Sequence, residues 1–460
     1  MGYMPVTDSM FLLAESRERP MHFGSLELFT PPPDAGPGYV TDLYNRLVAD
    51  AHVDELFRKR PADPVSSLGY TWWTVDDEID LEYHVRHSAL PAPGRIRELF
   101  TLVSRLHSGL LDRHRPLWEA YLIEGLADGR FAVYTKMHHA LLDGVSGLRL
   151  LRRTYTTDPS ARDFPAPWHL PPRPRSGNGS GTHARTSTVG TVRSVAGDVL
   201  GAAPVALRIA RTVLGGRRVA LPYEAPRSMF NVPIDGTRRF AAQSWSRARI
   251  TRVRCAAGVS SNDVVVAMCA GAIRAYLLER QALPETPLIA MVPVSLRAKD
   301  TPESDSGGNS VGVTLCNLGT HLEDPLTRLS TVSDSMAEGK TLFGGMTPLQ
   351  ATVWSALNIA GLALAPISGA VALAPPPFNL IISNVPGPRE PVYRGGSRLD
   401  GIYPVSVVLS GQALNITLTN TADTVDFGVV GCRRTVPALQ RLLGHLEDAL
   451  TELELALDIS

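Results

Sequence analysis

The stretch FAVYTKMHHALLDGVSG, residues 131–147, runs from an alternating segment into two adjacent histidines, with an aspartate and a glycine shortly after them. Alternation is the period of a strand, whose successive side chains point to opposite faces. It sets Phe131, Val133, Thr135, Met137 and His139 on one face and Tyr134, Lys136 and His138 on the other. The two imidazoles therefore diverge and cannot share one metal; paired zinc histidines sit a helical turn apart on one face. Two readings stay open for the pair, hydrogen-bonded histidines at a strand end, or one base with its support. If a helix starts at about Ala140, Asp143 falls in its first turn, where the helix dipole favours a carboxylate whether structural or catalytic. Gly144 and Gly147 leave room for another segment or a ligand to approach closely.

Outward from this stretch, residues 1 to about 160 alternate strand-like and helix-like patterns, with SLELF at 25–29 and YTWWTV at 70–75 as further strands. PAPWHLPPRPRSGNGSGTHARTST at 165–188 is too rich in Pro, Gly, Ser and Arg to bury much apolar surface and reads as a linker. Its continuation at 192–218 is a basic, helix-like segment suited either to an anionic membrane surface or to packing across two domains. From about 222 the α/β pattern resumes. SSNDVVVAMCAGAIRAYLLER at 260–280 reads as a capped helix, PLIAMVPVSLR at 287–297 as a buried strand, and the leucine-rich segment from Val436 onward as a packed amphipathic helix. The expected class is α/β of the α+β type, with an N-terminal unit over 1–162, a linker over 163–221 and a C-terminal unit over 222–460.

Composition excludes several functions. Lys+Arg and Asp+Glu balance at 45 each, so no bulk field attracts nucleic acid. Cys255, Cys269, Cys316 and Cys432 are far apart with no CxxC pair, which fits a reducing cytoplasm and suggests neither zinc ribbon nor disulfide framework. The first twenty residues lack the basic and apolar regions of a secretory signal. Residues 341–388 carry no charge, and 351–374 approach the about 20 apolar residues of a membrane span, but Asn358, Pro366 and Ser368 interrupt them. A buried helix or a lipid-facing surface is the expectation there, with NLIISNVPG following as a strand.

HHALLDG matches the HHxxxDG motif of the coenzyme-A-dependent acyltransferase superfamily, which includes chloramphenicol acetyltransferase and the condensation domains of peptide synthetases. With PLWEAYLIEGL at 116–126, SNDVVVAMCAGAIRAYL at 261–277, VPVSLR at 292–297, GNSVGVTLCNLGT at 308–320 and NLIISNVPGPREPVY at 379–393, the chain resembles the bacterial wax ester synthase/acyl-CoA:diacylglycerol acyltransferase family, of the actinobacterial triacylglycerol synthase type. The resemblance implies two chloramphenicol-acetyltransferase-like subdomains, each a mixed sheet with helices, and an active-site channel between them. Only the linker lies outside it.

It further implies transfer of a fatty acyl group from long-chain acyl-CoA, a substrate rather than a cofactor, to diacylglycerol or a long-chain alcohol. A thiol leaves with a pKa of about 8.5 whereas an attacking alcohol resembles water at about 15.7, so the alcohol proton needs a base. A neutral imidazole suits that task, and the resemblance assigns it to His139, with His138 in support and no acyl-enzyme. Asp143 reads as an ion-pair partner, with Arg297 as candidate. Asn262 and Asp263, either a helix cap or residues near the substrate channel, join Gly144, Asn309 and Asn384 as candidate substrate contacts, while Pro116 and Trp118 are structural. No metal or cofactor is expected, and the oxyanion donor is not identifiable. The expected location is the cytoplasm, peripheral to the inner membrane or lipid droplets. A carrier-protein-dependent acyltransferase and a catalytically silent lipid-binding protein are the alternatives, the intact motif opposing the second.

Overall fold

The computed structural model describes residues 2–50, 52–64, 69–70, 72–169, 220–295, 311–344, 350, 354 and 375–459. Arg297, Asn309, the basic segment at 192–218 and most of the uncharged 341–388 stretch lie outside these residues.

Two six-stranded mixed sheets organise the chain. The first runs Tyr393–Arg394, Ser397–Val405, His22–Thr30, Phe131–His138, Trp118–Glu124, Val85–Ala89, antiparallel except for its last pair. The second runs Val311–Asn317, Ile289–Ser295, Leu380–Pro386, Leu414–Asn420, Thr424–Cys432, Arg238–Ser246, with parallel pairing on both sides of Leu380–Pro386. A small sheet, Gly2–Tyr3, Trp72–Val75, Lys59–Pro61, stands beside the first.

Both faces of the Phe131–His138 strand are buried, and its alternation feeds two cores. Phe131, Val133 and Met137 join one apolar cluster, Ala132 and Tyr134 another. The latter continues into the second sheet, so the two halves share a core. The helix Ile96–Ser108 seals their contact: Phe240 N–H donates to Ser104 Oγ and Arg238 N–H to Ser108 Oγ, each at 2.9 Å. Serine hydroxyls thereby satisfy backbone donors of a strand that ends its sheet.

The 260–280 helix spans Ser261–Leu278, closed by a capping box in which Ser260 and Asp263 bond each other's backbone. It is the one described helix long and apolar enough to cross a membrane, and it is mostly buried, beside the helix Arg441–Ala456 with its inward Leu442, Leu446, Leu450 and Leu453. Apolarity here reflects a core position.

Three local differences from the sequence reading have simple causes. Tyr393–Arg394 and Ser397–Val405 belong to the C-terminal half in sequence but complete the first sheet, Ser397–Val405 pairing on His22–Thr30 and Tyr393–Arg394 on Ser397–Val405. A boundary near 222 therefore divides the chain without dividing the sheets. The helix after the motif starts at Gly144, not Ala140, because Ala140, Leu141 and Leu142 form a turn whose N–H groups bond His138, and the Asp143 cap comes only after that turn. The stretch read as the start of the linker begins packed, with Ala166 and Trp168 buried and Trp168 stacked on Trp118 at 5.3 Å.

Candidate active site

The motif strand ends at His138, and the next residue is held by its backbone, His139 N–H donating to Met21 O at 2.9 Å. As the alternation demands, the two rings part. His138 is fully buried; its Nδ1 accepts Ala140 N–H at 3.0 Å, and its Nε2 lies 3.3 Å from Glu15 Oε1. Glu15 is anchored in turn by Arg113, whose Nε and Nη2 reach Oε2 at 3.1 and 2.9 Å, and by Met21 N–H at 3.1 Å. Burial works against the Glu15 carboxylate, but His138, Met21 and Arg113 together hold it below the usual range. Arg113–Glu15–His138 is thus a braced chain ending on the turn that shapes the motif.

The His139 ring lies between Phe11, stacked at 5.1 Å, and Phe23, tilted at 5.0 Å, with part of its surface open. Burial, then neighbouring His138, pushes its pKa down to about 4, with Asp143 opposing. Among the described residues no side chain or backbone group hydrogen-bonds either ring nitrogen. Among the described residues the nitrogens of His139 are therefore free, and its lowered pKa favours the neutral imidazole. Gly147 protects this arrangement: a Cβ there would stand 2.7 Å from Phe23 Cε2. A Cβ at Gly144 would meet Phe23 Cδ2 at 4.0 Å, an ordinary contact.

Asp143 caps the helix Gly144–Arg152, accepting Ser146 N–H at 2.8 Å and Ser146 Oγ–H at 2.9 Å. That helix packs Leu148 and Leu151 on Val385 and Ile402 of the C-terminal half. Asn384, beside Val385, points to the other face and donates to Asn262 Oδ1 at 3.1 Å, while Asn420 Nδ2 donates to Asn384 Oδ1 at 2.5 Å. Asn262 and Asn384 are brought together; no hydrogen bond joins them to His139 among the described residues. Asp263 serves the capping box, and its buried Oδ1 has no hydrogen-bond partner among the described residues. Trp118 is buried, its Nε1–H donating to Phe57 O at 2.8 Å, with His84 stacked at 4.5 Å; Pro116 is buried beside it.

Sequence reasoning missed Glu15, Arg113, Phe11 and Phe23. One signal was present: Glu15 ends the helix Val6–Ala14, where the dipole disfavours a carboxylate, so it needs a partner elsewhere. It also missed that Lys136 is buried, 3.0 Å from Glu119 and donating to Leu106 O and Gly109 O at the end of Ile96–Ser108.

Among the described residues no group of three His, Cys, Asp or Glu side chains is placed to hold a metal ion. Burial pushes the Cys316 thiol up to about 12 and raises that of Cys269, so neither is a ready thiolate.

A model of the wax ester synthase/diacylglycerol acyltransferase catalytic domain matches residues 4–265, the segment carrying His139, and the C-terminal domain model matches residues 307–454. The chain belongs to the wax ester synthase/diacylglycerol acyltransferase family. It is 55% identical over 459 residues, all of both chains, to a probable diacylglycerol O-acyltransferase, tgs2, of Mycobacterium tuberculosis. It is 41% identical to the solved wax ester synthase/diacylglycerol acyltransferase of Marinobacter aquaeolei, covering all of both chains at a TM-score of 0.80. The first condensation domain of the calcium-dependent antibiotic synthetase, 19% identical with a TM-score of 0.56 over 99% of this chain and 96% of its own, shares the fold alone. As a member of the wax ester synthase/diacylglycerol acyltransferase family, the protein is an acyltransferase with the two-unit architecture of chloramphenicol acetyltransferase.

Proposed function

We propose that the protein esterifies diacylglycerol to triacylglycerol with long-chain acyl-CoA, and accepts long-chain alcohols in a parallel wax ester reaction. The observation that carries the mechanism is His139, an imidazole of lowered pKa at the end of the motif strand whose nitrogens have no hydrogen-bond partner among the described residues. Its Nε2 takes the hydroxyl proton as the acceptor oxygen attacks the thioester carbonyl. The tetrahedral adduct then collapses, the C–S bond breaks, and the proton passes from the imidazolium to the departing sulfur. Atoms and charge balance without an acyl-enzyme, in keeping with the raised Cys269 and Cys316 thiols.

His138 acts as a positioning residue, tied to Glu15 on one side and to the Ala140 backbone on the other. Asp143 positions by capping, and Asn262 and Asn384 offer polar contacts to substrate. The names of the relatives support the diacylglycerol acceptor. Because both substrates are lipids, the protein works at the cytoplasmic face of a membrane or on lipid droplets.

Purified protein with labelled palmitoyl-CoA and either dioleoylglycerol or hexadecanol tests this. Triacylglycerol is expected as the main product, and the absence of both esters would overturn the proposal.

A further inference from the structure

Nine large apolar side chains are exposed among the described residues, and their distribution is uneven. Ile96, Tyr223, Leu278 and Leu455 are scattered, as is ordinary for a surface. The other five, Tyr3, Met10, Leu13, Trp72 and Leu110, each adjoin in the chain a residue of one small cluster, formed by Met4, Leu12, Trp73, Leu111, Leu117 and Ala140 together with Phe11 packed against them. Met10 and Leu13, 53% and 66% exposed, lie three residues apart on one face of the helix Val6–Ala14, turned away from the buried Leu12. Tyr3 and Trp72 are cross-strand partners whose rings meet edge to face at 6.1 Å.

This cluster is the back of the active site. Ala140 follows His139 in the chain, and Phe11, between Met10 and Leu12, stacks on the His139 ring. Exposed apolar surface gathered in one patch marks contact with a partner or a lipid phase. Three features select lipid. The helix carries a single charge, Asp8, and with 9 residues it is far below the about 20 needed to span a bilayer, so it can only lie on one. Tyr and Trp together at the rim are the pair enriched where apolar and wet regions meet. The exposed Arg17 just past the helix suits an anionic headgroup.

We infer that the face formed by Tyr3, Met10, Leu13, Trp72 and Leu110 seats this acyltransferase on a lipid layer, so that the acceptor rises from the layer beside Phe11 to His139. The inference rests on the lipid-acceptor reading of the active site but names a different surface from the uncharged 341–388 segment.

Trp72 allows a test on the unaltered chain, since the other five of the six tryptophans are at most 6% exposed. Vesicles of phosphatidylcholine and phosphatidylglycerol containing dioleoylglycerol, with brominated acyl chains, should quench its fluorescence, and Trp72→Phe should remove that quenching. The double change Met10→Ser with Leu13→Ser should weaken vesicle partitioning by about tenfold or more, as the loss of two buried apolar side chains implies. It should also lower turnover of vesicle-borne diacylglycerol while sparing water-soluble dihexanoylglycerol. Absence of Trp72 quenching overturns the inference, as do unchanged partitioning of the folded double variant and a dimer that the variant dissociates without altering vesicle binding. Binding is read without acyl-CoA, so failure of the esterification reading leaves it separately measurable.

Discussion

His139 differs from its neighbour in what is left free. His138 spends one nitrogen on a backbone N–H and turns the other to a carboxylate, whereas His139 is clamped by rings and its nitrogens are uncommitted among the described residues. Replacing it with Ala should lower kcat by about 10²–10⁴, the usual contribution of a general base, with KM little changed. Its pKa near 4 sets the pH profile: kcat/KM should rise with pH through about 4 and stay level to neutrality. The same shift bears on stability. The unfolded imidazole binds its proton below about 6.5 while the folded one does not, so this group's contribution is full above that value and falls as pH drops toward 4. Gly147→Ala should push Phe23 against the imidazole and cost about 1–3 kcal/mol, with a drop in kcat that thermal unfolding and steady-state kinetics would separate. The divergence of the two histidines was legible, because strand alternation is local. The Glu15–Arg113 brace was not, since its members lie 98 positions apart and only tertiary packing unites them.

Elements were read well where a local signal existed. Ser260 and Asp263 announced the start of a helix, and the spacing of Leu442, Leu446, Leu450 and Leu453 announced the final one. The helix after the motif was placed early because a turn with no periodicity precedes Asp143. Nor did any pattern reveal Asp426, buried where Thr424–Cys432 meets Ser397–Val405; it accepts Ile402 N–H at 2.9 Å, Ser244 Oγ–H at 2.7 Å and Thr424 Oγ1–H at 2.6 Å. Burial pushes its carboxyl up to about 6. Folding therefore favours its protonated form, and its contribution to stability fades as pH rises through 6. Asp426→Asn should flatten that part of the pH–stability curve between about 4 and 6 and cost about 1–3 kcal/mol by misplacing a donor, measurable by denaturant unfolding at several pH values.

At the scale of the molecule, two α/β halves were expected and two sheets are found, but the exchange between them left no local trace. Nothing within Ser397–Val405 says that its partner is His22–Thr30, because register between distant strands is settled by packing. Where the exchanged segment passes, a buried pair fixes it: Arg394 Nη2 lies 3.0 Å from Glu27 Oε2, Tyr155 donates to Glu27 Oε1 at 2.7 Å and Arg394 donates to Thr154 Oγ1 at 2.9 Å. Arg394→Met should destabilise the fold by about 3–5 kcal/mol by stranding the Glu27 charge, and Glu27→Gln added to it should recover part of the loss, as denaturant midpoints would show. A second lock is steric, for a Cβ at Gly428 would collide with the Pro404 carbonyl.

The exchanged strand also fixes an order of events in synthesis. While the chain is being made, His22–Thr30 has its partner Phe131–His138 on one side early, but its other edge stays open until residue 405 has left the ribosome. For most of translation the half that carries His139 presents an unpaired strand edge, the kind of surface that nascent chains must have shielded from one another.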